Sequence, residues 1–231
     1  MRNIIRSESR GAADHGWLKS YHTFSFAGYH NPKSMNFRAL RVINEDWVKP
    51  AEGFGTHPHH DMEIITYILS GALAHKDSMG NTHTIKAGEV QTMSAGTGIT
   101  HSEFNGSDSE TVHLLQMWII PAEKGVKPKY QEWYPPKNVS DDWILVASGE
   151  AKQGVAKIER DVNLFLAKPK AGSKLELPLN KQRYGWLQVA EGEVKLGDEI
   201  LKAGDAASFE KEDAISITAN TNAQVLFYDL D

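Results

Sequence analysis

The sequence predicts an all-β protein made of two copies of one β-sandwich or β-barrel domain, and three observations carry that prediction. Short apolar runs rich in β-branched and aromatic residues alternate with Gly, Pro, Asn and Asp along the whole chain, the pattern of many short strands joined by turns. No long stretch carries apolar residues at helical spacing. A Lys-Ala-Gly-acid turn occurs twice, as Lys86-Ala87-Gly88-Glu89 and as Lys202-Ala203-Gly204-Asp205. Each copy follows an apolar strand, a glycine (Gly71 or Gly192) and a polar hairpin, and each leads into another apolar strand. A repeat offset of more than 100 residues implies two copies of a β domain rather than a solenoid.

In chain order, strands are expected at ALRVIN (39–44), EIITYIL (63–69), THTIKAG (82–88), HLLQMWII (113–120), YGWLQVAEG (184–192), AISIT (214–218) and AQVLFYDL (223–230). Residues 121–137 hold four of the nine prolines. Proline offers no N–H to a sheet ladder, so this stretch reads as a connector. A second connector is expected near Lys168–Ser173, and one short helix in the 140s to 150s. The resulting division is an N-terminal domain over 1–131 and a C-terminal domain over 132–231.

Composition narrows the function. The 231 residues are 40% hydrophobic and 24% charged, a globular balance too apolar for a disordered chain. The net charge of −5 is spread evenly: residues 1–115 carry 10 basic and 12 acidic groups, and residues 116–231 carry 15 and 18. With no basic footprint, direct nucleic-acid binding is not expected. The absence of cysteine excludes disulfides, thiolate catalysis and cysteine-ligated metals. It also suits a reducing cytoplasm, the expected location. The start, MRNIIRSESRGAADHGW, has no apolar core for a signal peptide. The longest near-apolar stretch, Ile64 to Ala74, falls short of the ~20 residues that span a membrane, so no membrane association is expected. Histidine is the asymmetric residue. All ten lie between His15 and His113, so only the first half can offer imidazole.

Two motifs gather those histidines: Gly55-Thr56-His57-Pro58-His59-His60-Asp61-Met62-Glu63 and Gly96-Thr97-Gly98-Ile99-Thr100-His101-Ser102-Glu103-Phe104-Asn105. Residues i and i+2 of a strand share a face. His57 and His59 would therefore point one way, and so would His101 and Glu103. A lone H-x-H occurs in many chains that bind no metal; the second pair, 42 residues on (101 minus 59), lifts the motif above that background. If the two strands face each other in a barrel, three imidazoles and one carboxylate converge on one divalent ion. Four such ligands on an octahedral ion leave two positions open, for a substrate oxygen and dioxygen or for two waters. Their residual charge of +1 suits an enolate or phenolate. Glu103 could also leave or share the metal and take a substrate proton as general base.

Neighbouring residues are placed by the same counting. Glu63 shares the parity of His57 and His59 and is expected beside a ligand rather than on the metal. Phe54, Met62 and Gln116 are placed in the substrate pocket by their proximity to the ligands. His60 would face away from the pair. His75 and His83 flank the Asp77–Asn81 hairpin and are expected in solvent. His15, His22 and His30 sit in an aromatic-rich lead-in and are assigned to packing, and His113 begins a strand with no role assigned. The run AGTGIT lacks the G-K-[ST] of a phosphate loop and reads as a tight turn that delivers His101.

These residues resemble the cupin superfamily, and specifically the pirin family. The first cupin motif, G-x5-H-x-H-x3,4-E-x6-G, is matched at its centre by His57-x-His59-x3-Glu63, with Gly71 one residue late. The second, G-x5-P-x-G-x2-H-x3-N, is matched by Gly88, Gly96, His101 and Asn105, with Ser94 for proline and two extra residues before the histidine. Both departures look like the pirin version, H-P-H and then A-G-x-G-I-x-H-S-E. His15–Leu18, His22–Phe26, Phe37–Asn44 and Gln116–Trp118 extend the resemblance over roughly residues 10–121. It points to the bacterial pirin-like proteins given quercetinase activity. The resemblance implies a bicupin: two antiparallel jelly-roll β-barrels packed face to face with few short helices, and metal only in the N-terminal one. It implies His57, His59, His101 and Glu103 as ligands, with Glu63 outside the set. Fe(II) is the expected ion, and the same ligands also accept Zn, Co, Ni, Mn or Cu, with availability deciding among them. Aligning Gly192 with Gly71 and Gly204 with Gly88 sets Pro178, Asn180, Ile217 and Ala219 at the four ligand positions, so the second barrel is expected to be structural.

The function that the resemblance implies is a metal-dependent dioxygenase of the quercetin 2,3-dioxygenase type. It would cleave a flavonol with O2 and release carbon monoxide, with Glu103 taking the 3-hydroxyl proton. The alternative is a non-enzymatic, metal- or redox-sensing regulatory protein. The acidic balance would direct that role to protein partners rather than DNA. A third reading is a cupin of another substrate for which flavonol turnover is a side activity. The chain is expected to be a monomer.

Overall fold

The computed structural model describes residues 1–136 and 141–231. Among them the chain forms β1 (Arg2–Ile5), β2 (Gly11–Asp14), β3 (Leu18–His22), β4 (Leu40–Val48), β5 (Gly53–His59), β6 (Glu63–Ser70), β7 (Ala72–Asp77) and β8 (Thr82–Lys86). Next come β9 (Val90–Ser94), β10 (Ile99–Asn105), β11 (Val112–Ile119), β12 (Lys129–Trp133), β13 (Ile144–Ser148), β14 (Ala156–Lys157) and β15 (Val162–Ala167). The last are β16 (Lys174–Pro178), β17 (Tyr184–Glu191), β18 (Glu193–Leu196), β19 (Glu199–Lys202), β20 (Ala206–Glu210), β21 (Ala214–Ala219) and β22 (Gln224–Leu230). The helical content of the described residues is one 3-10 turn at Ser7–Ser9.

The seven strands expected from sequence are β4, β6, β8, β11, β17, β21 and β22. Two expectations need correction. The proline-rich stretch 121–137 is more than a connector: its Lys129–Trp133 segment is β12, paired antiparallel with β9 at a sheet edge, where flanking prolines cost no ladder bond. The helix expected in the 140s to 150s is instead β13, paired with β15. Ile144 and Val146 suit that strand.

The chain divides into two compact units. The first comprises Arg10–Pro135 with Glu150–Arg160; the second comprises Met1–Ser9, Pro136–Gly149 and Asp161–Asp231. The sequence suggests one cut after residue 131, whereas the units interleave. β1 pairs with β20 of the second unit, and Ala122 N–H of the first unit bonds the Glu159 carbonyl at 2.8 Å.

Each unit is a jelly roll of two antiparallel sheets, giving the bicupin architecture. The first has strand orders β12-β9-β6-β11-β4-β3-β2 and β5-β10-β7-β8. The second has β1-β20-β17-β22-β15-β13 and β16-β21-β18-β19. The repeat seen in sequence is present in the backbone. Gly71 and Gly192 take φ of 79° and 76°, and Gly88 and Gly204 take 89° and 87°. A Cβ on Gly192 would sit 2.3 Å from the Asn222 carbonyl oxygen, so that turn requires glycine twice over, by angle and by space.

The two barrels fill differently. In the second unit one apolar cluster runs through β17, β20, β21 and β22, with Leu187, Val189, Phe209, Ile215, Ile217, Val225 and Phe227 all buried. In the first unit there are separate apolar clusters, one around Ile68, Leu73, Ile85, Val112 and Leu114 and one around Ile64, Met93, Ala95 and Ile99. Positions of the same parity between them are polar. Thr66 lies between Ile64 and Ile68 on β6, and Gln116 between Leu114 and Trp118 on β11. Buried polar atoms cost free energy unless each finds a partner, so this polar band is where a function is to be sought.

Candidate metal centre

β5 and β10 run antiparallel with His57 opposite His101 and His59 opposite Ile99. Strand alternation puts His57 and His59 on one face. The register shifts between His101 and Glu103, where β5 accommodates Gly55 and Thr56, and Phe54 then pairs with Glu103. Such a bulge re-aims side chains beside a site. Before β10, the AGTGIT run forms the expected tight turn. Gly96 has φ of 46°, and a Cβ there would lie 1.9 Å from the Val126 carbonyl oxygen.

The three imidazoles converge. Ring centroids are 4.8 Å apart for His57–His59, 4.5 Å for His57–His101 and 5.0 Å for His59–His101. One ring nitrogen from each lies within 4.8 Å of the other two. His57 Nδ1 donates to the Gly55 carbonyl at 2.7 Å, which leaves Nε2 as the lone-pair nitrogen. Burial, reinforced by neighbouring rings, lowers His59 to about 4 and His101 to about 3, so both are neutral near pH 7. His101 Nε2 is buried without a hydrogen-bond partner among the described residues. An unpaired buried ring nitrogen on His101, beside the neutral His59 and the His57 ring, is the donor set a divalent cation requires.

His101 also faces a second group. Its Nδ1 lies 3.5 Å from His75 Nδ1, and His75, His101 and Glu103 form a further buried triplet with ligand atoms within 4.8 Å of one another. His75 is therefore not the solvated residue expected from its place by a hairpin; it is 1% exposed. β7 is an interior strand of its sheet, and His75 stacks on Tyr130 at 4.6 Å. His75 Nε2 lies 3.3 Å from Asp77 Oδ2. Asp77 in turn accepts from Met79 N–H, Asn81 N–H and Asn81 Nδ2 at 2.9, 3.0 and 2.8 Å.

Glu103 is buried at 1% exposure and held by two amides. Gln91 Nε2 donates to Oε1 at 2.6 Å and Gln116 Nε2 to Oε2 at 2.8 Å. Each amide is oriented by a further donor on its own oxygen: Tyr130 O–H on Gln91 at 3.1 Å, and Trp118 Nε1–H on Gln116 at 3.3 Å. Burial pushes the Glu103 carboxyl up to about 7, against the pull of Gln116 and Gln91. A carboxyl poised there can take or give a proton at neutral pH.

A cavity of about 620 Å³ opens beside these groups, within the range of small-molecule sites. His57, His59, Glu103, Gln116 and Phe54 line it. Met62 does not; it packs with Trp118 against Ile64, Met93 and Ile99. Glu63 does not either. β5 ends at His59, Asp61 takes φ of 48°, and Glu63 starts β6, so the period-two count from the histidines does not reach it. Its Oε2 accepts from Ser94 Oγ at 2.6 Å and Glu159 N–H at 3.1 Å. His60 and His83 are exposed as expected, and His113 stacks on Trp47 at 4.1 Å. Among the lining residues that escaped the sequence reading are four buried polar ones, Ser20, His22, Asn44 and Asp46. The available signal was polar residues at buried-parity positions of apolar strands, as in Leu18-x-Ser20-x-His22 and Asn44-x-Asp46-x-Val48.

A family model described as Pirin matches residues 5–119, and one described as Quercetinase C-terminal cupin domain matches residues 145–230. The chain is 44% identical over 227 residues to a quercetin 2,3-dioxygenase of Escherichia coli strain K12, covering 98% of this chain and 97% of that protein. It also superposes on two crystal structures from Escherichia coli. YhhW matches with a TM-score of 0.95 at 43% identity, covering 100% of this chain and 98% of that one. Bacterial pirin YhhW in complex with nickel(II) matches with a TM-score of 0.93 at 43% identity, covering 100% and 99%.

Proposed function

The chain belongs to the pirin family of bicupin proteins, and on that premise we propose that it is a metal-dependent dioxygenase that cleaves a quercetin-type flavonol with O2 and releases carbon monoxide. One observation carries the proposal: ring nitrogens of His57, His59 and His101 gather within 4.8 Å of one another, His101 also lies within reach of a Glu103 carboxyl poised near neutrality, and His57, His59 and Glu103 line an aromatic-bordered cavity.

His57, His59 and His101 would hold the ion, with Glu103 as the fourth ligand or as a base next to it. We name Fe(II) as the resident ion, with Zn, Co, Ni, Mn and Cu as the others this donor set accepts. A bound divalent ion would supply Lewis acidity and open positions for the substrate enolate and O2. The protein's own contribution is to proton transfer and orientation. The Glu103 carboxylate takes the 3-hydroxyl proton of the flavonol, and the Gln91 and Gln116 amides hold both of its oxygens in place for that transfer. Trp17, Phe26, Phe54 and Trp118 border the cavity and provide apolar faces for flat rings, which exclude water from the reacting carbon.

The test is O2 uptake with quercetin by protein loaded separately with Fe(II), Ni(II), Co(II) and Zn(II), alongside His101→Ala. Metal-dependent uptake with carbon monoxide release, lost in the variant, is expected. No uptake from protein whose site is demonstrably filled would overturn the proposal.

A further inference from the structure

We propose that the Ser20–His22–Asn44–Asp46 wall of the cavity recognises phenolic hydroxyls, so that the preferred substrate carries a dihydroxylated aryl ring remote from the reacting carbon. This rests on the reading of the cavity as the substrate site, and it is carried by polar atoms that the protein leaves unpaired.

Ser20 lies opposite Asp46 and His22 opposite Asn44 where β3 and β4 pair. All four side chains are buried, with exposures of 2–5%, and all four line the cavity. Within the wall, Ser20 Oγ donates to Asp46 Oδ1, and His22 Nδ1 donates to Asn44 Oδ1 at 2.8 Å. Ser20 Oγ also lies 3.4 Å from His22 Nδ1, which draws the two pairs together. Among the described residues nothing pairs with Asp46 Oδ2, His22 Nε2 or Asn44 Nδ2. Burial keeps the His22 ring neutral, and its proton sits on Nδ1, so Nε2 is an acceptor. With Asp46 ionised, the wall thus offers two acceptors and one amide donor. A hydroxyl answers both, donating to one and accepting from the other. Two hydroxyls on one ring satisfy all three atoms.

The rest of the environment selects an aryl carrier. Phe26 lies 5.4 Å from the His22 ring and 5.3 Å from Trp118, and Trp17 packs edge-on to Phe54 at 5.2 Å. These surfaces suit a flat aromatic group. The distance fits as well. Asn44 lies opposite Gln116 on β11, and Gln116 holds Glu103. Neighbouring strands are about 4.8 Å apart. Asn44 is therefore one strand from Gln116, and His22 is two. A flavonol that gives its 3-hydroxyl to Glu103 therefore has this wall within reach of its pendant ring.

The experiment measures affinity for 3-hydroxyflavones with none, one or two hydroxyls on the pendant ring. Binding is read as quenching of tryptophan fluorescence under argon, at pH 8, where Asp46 is ionised. Wild type, Asp46→Asn and His22→Phe are compared at the same metal loading. In wild type the dihydroxylated ligand is expected to bind tightest. Its advantage over the unsubstituted one should shrink roughly 10- to 100-fold in Asp46→Asn, the range for a hydrogen bond to a charged group. A smaller loss in the same direction is expected in His22→Phe. An unchanged ratio in whichever variant folds overturns the proposal. The same proteins are titrated with 4-methylcatechol and toluene. If flavonols neither bind nor drive O2 uptake, but 4-methylcatechol binds and loses affinity in Asp46→Asn, the flavonol reading falls and the hydroxyl site stands. If toluene binds as well as 4-methylcatechol, the hydroxyl site falls.

Discussion

Among the described residues Asp77 hydrogen-bonds to none of the three converging imidazoles, yet Asp77→Asn should weaken metal binding. Burial works against its carboxylate, but the Asn81 and Met79 donors hold it below the usual carboxylate range. Being ionised, Asp77 Oδ2 can only accept, so His75 Nε2 carries the proton and His75 Nδ1 is an acceptor. The proton between His75 and His101 then sits on His101 Nδ1, and His101 Nε2 keeps its lone pair free, as a metal ligand must. In Asp77→Asn the two backbone donors keep an oxygen at Oδ1, whereas an N–H₂ can replace Oδ2 and meet the His75 N–H head on. Relief requires His75 to change tautomer, which sets N–H against N–H at His101 and favours the wrong tautomer there. Residues that orient a metal ligand typically matter 10- to 100-fold in affinity, about 1.4–2.8 kcal/mol. The two contacts here, at 3.3 and 3.5 Å, are long for hydrogen bonds, so the loss should fall near ten-fold. Competition with a chelator for Co(II), with the ligand-field bands of bound Co(II) as a second readout, measures it. A double-mutant cycle separates orientation from general damage: in a His75→Phe background, Asp77→Asn should have no further effect. An affinity within two-fold of wild type, or an equal loss in both backgrounds, would refute the relay.

Three other outcomes follow from the same geometry. Divalent ion at 100 times its Kd should stabilise the wild type by about 2.7 kcal/mol, seen as a raised Tm; His101→Ala should lose the gain, and a variant that keeps it would move the site off His101. Gly96→Val puts a Cβ 1.9 Å from the Val126 carbonyl at φ of 46°, so denaturation should show a loss on the order of 3 kcal/mol together with weaker metal binding; wild-type stability would show that the turn is not constrained. Burial raises Asp46 from 3.8 to about 7, so its contribution to stability is complete below about pH 4 and is lost as pH rises through 7. The span of about three units is on the order of 4 kcal/mol. Between pH 4 and 8, Asp46→Asn should therefore gain on wild type in urea unfolding, and parallel curves would refute the assignment.

How much of this was legible in sequence depended on whether a local rule decided it. Strands such as Glu63–Ser70 and Gln224–Leu230 were readable because β-branched and aromatic runs suit few other states. The convergence of His57, His59 and His101 was readable because strand parity and the glycine-rich turn act over a few residues. Glu63 was misplaced for the converse reason: parity holds only within one strand, and the chain turns at Asp61 before β6 begins. His75 was misplaced because its burial comes from β10 and Tyr130, distant in sequence. β12 was missed because proline content says what a strand centre excludes, not what a sheet edge tolerates.

The contrast between the two barrels explains where the site lies. Both repeat the same strand–glycine–hairpin–turn plan, down to matching φ values at Gly71 and Gly192. In the second barrel Leu187, Phe209, Ile217 and Phe227 merge into one core, and each buried side chain contributes stability, about 1.5–3 kcal/mol by transfer. In the first barrel the inward positions between the two apolar clusters hold groups kept in states they would not choose in water. His59 and His101 are neutral well below their ordinary pKa, and Glu103 is held near 7. His101 Nε2 is left without a partner. A core under selection for stability alone would exchange these for apolar side chains, as the second barrel does with the buried Ile217 and Ala219 at the positions aligned with His101 and Glu103. Local rules broken together, in one band and beside one cavity, mark the place where stability is spent on chemistry.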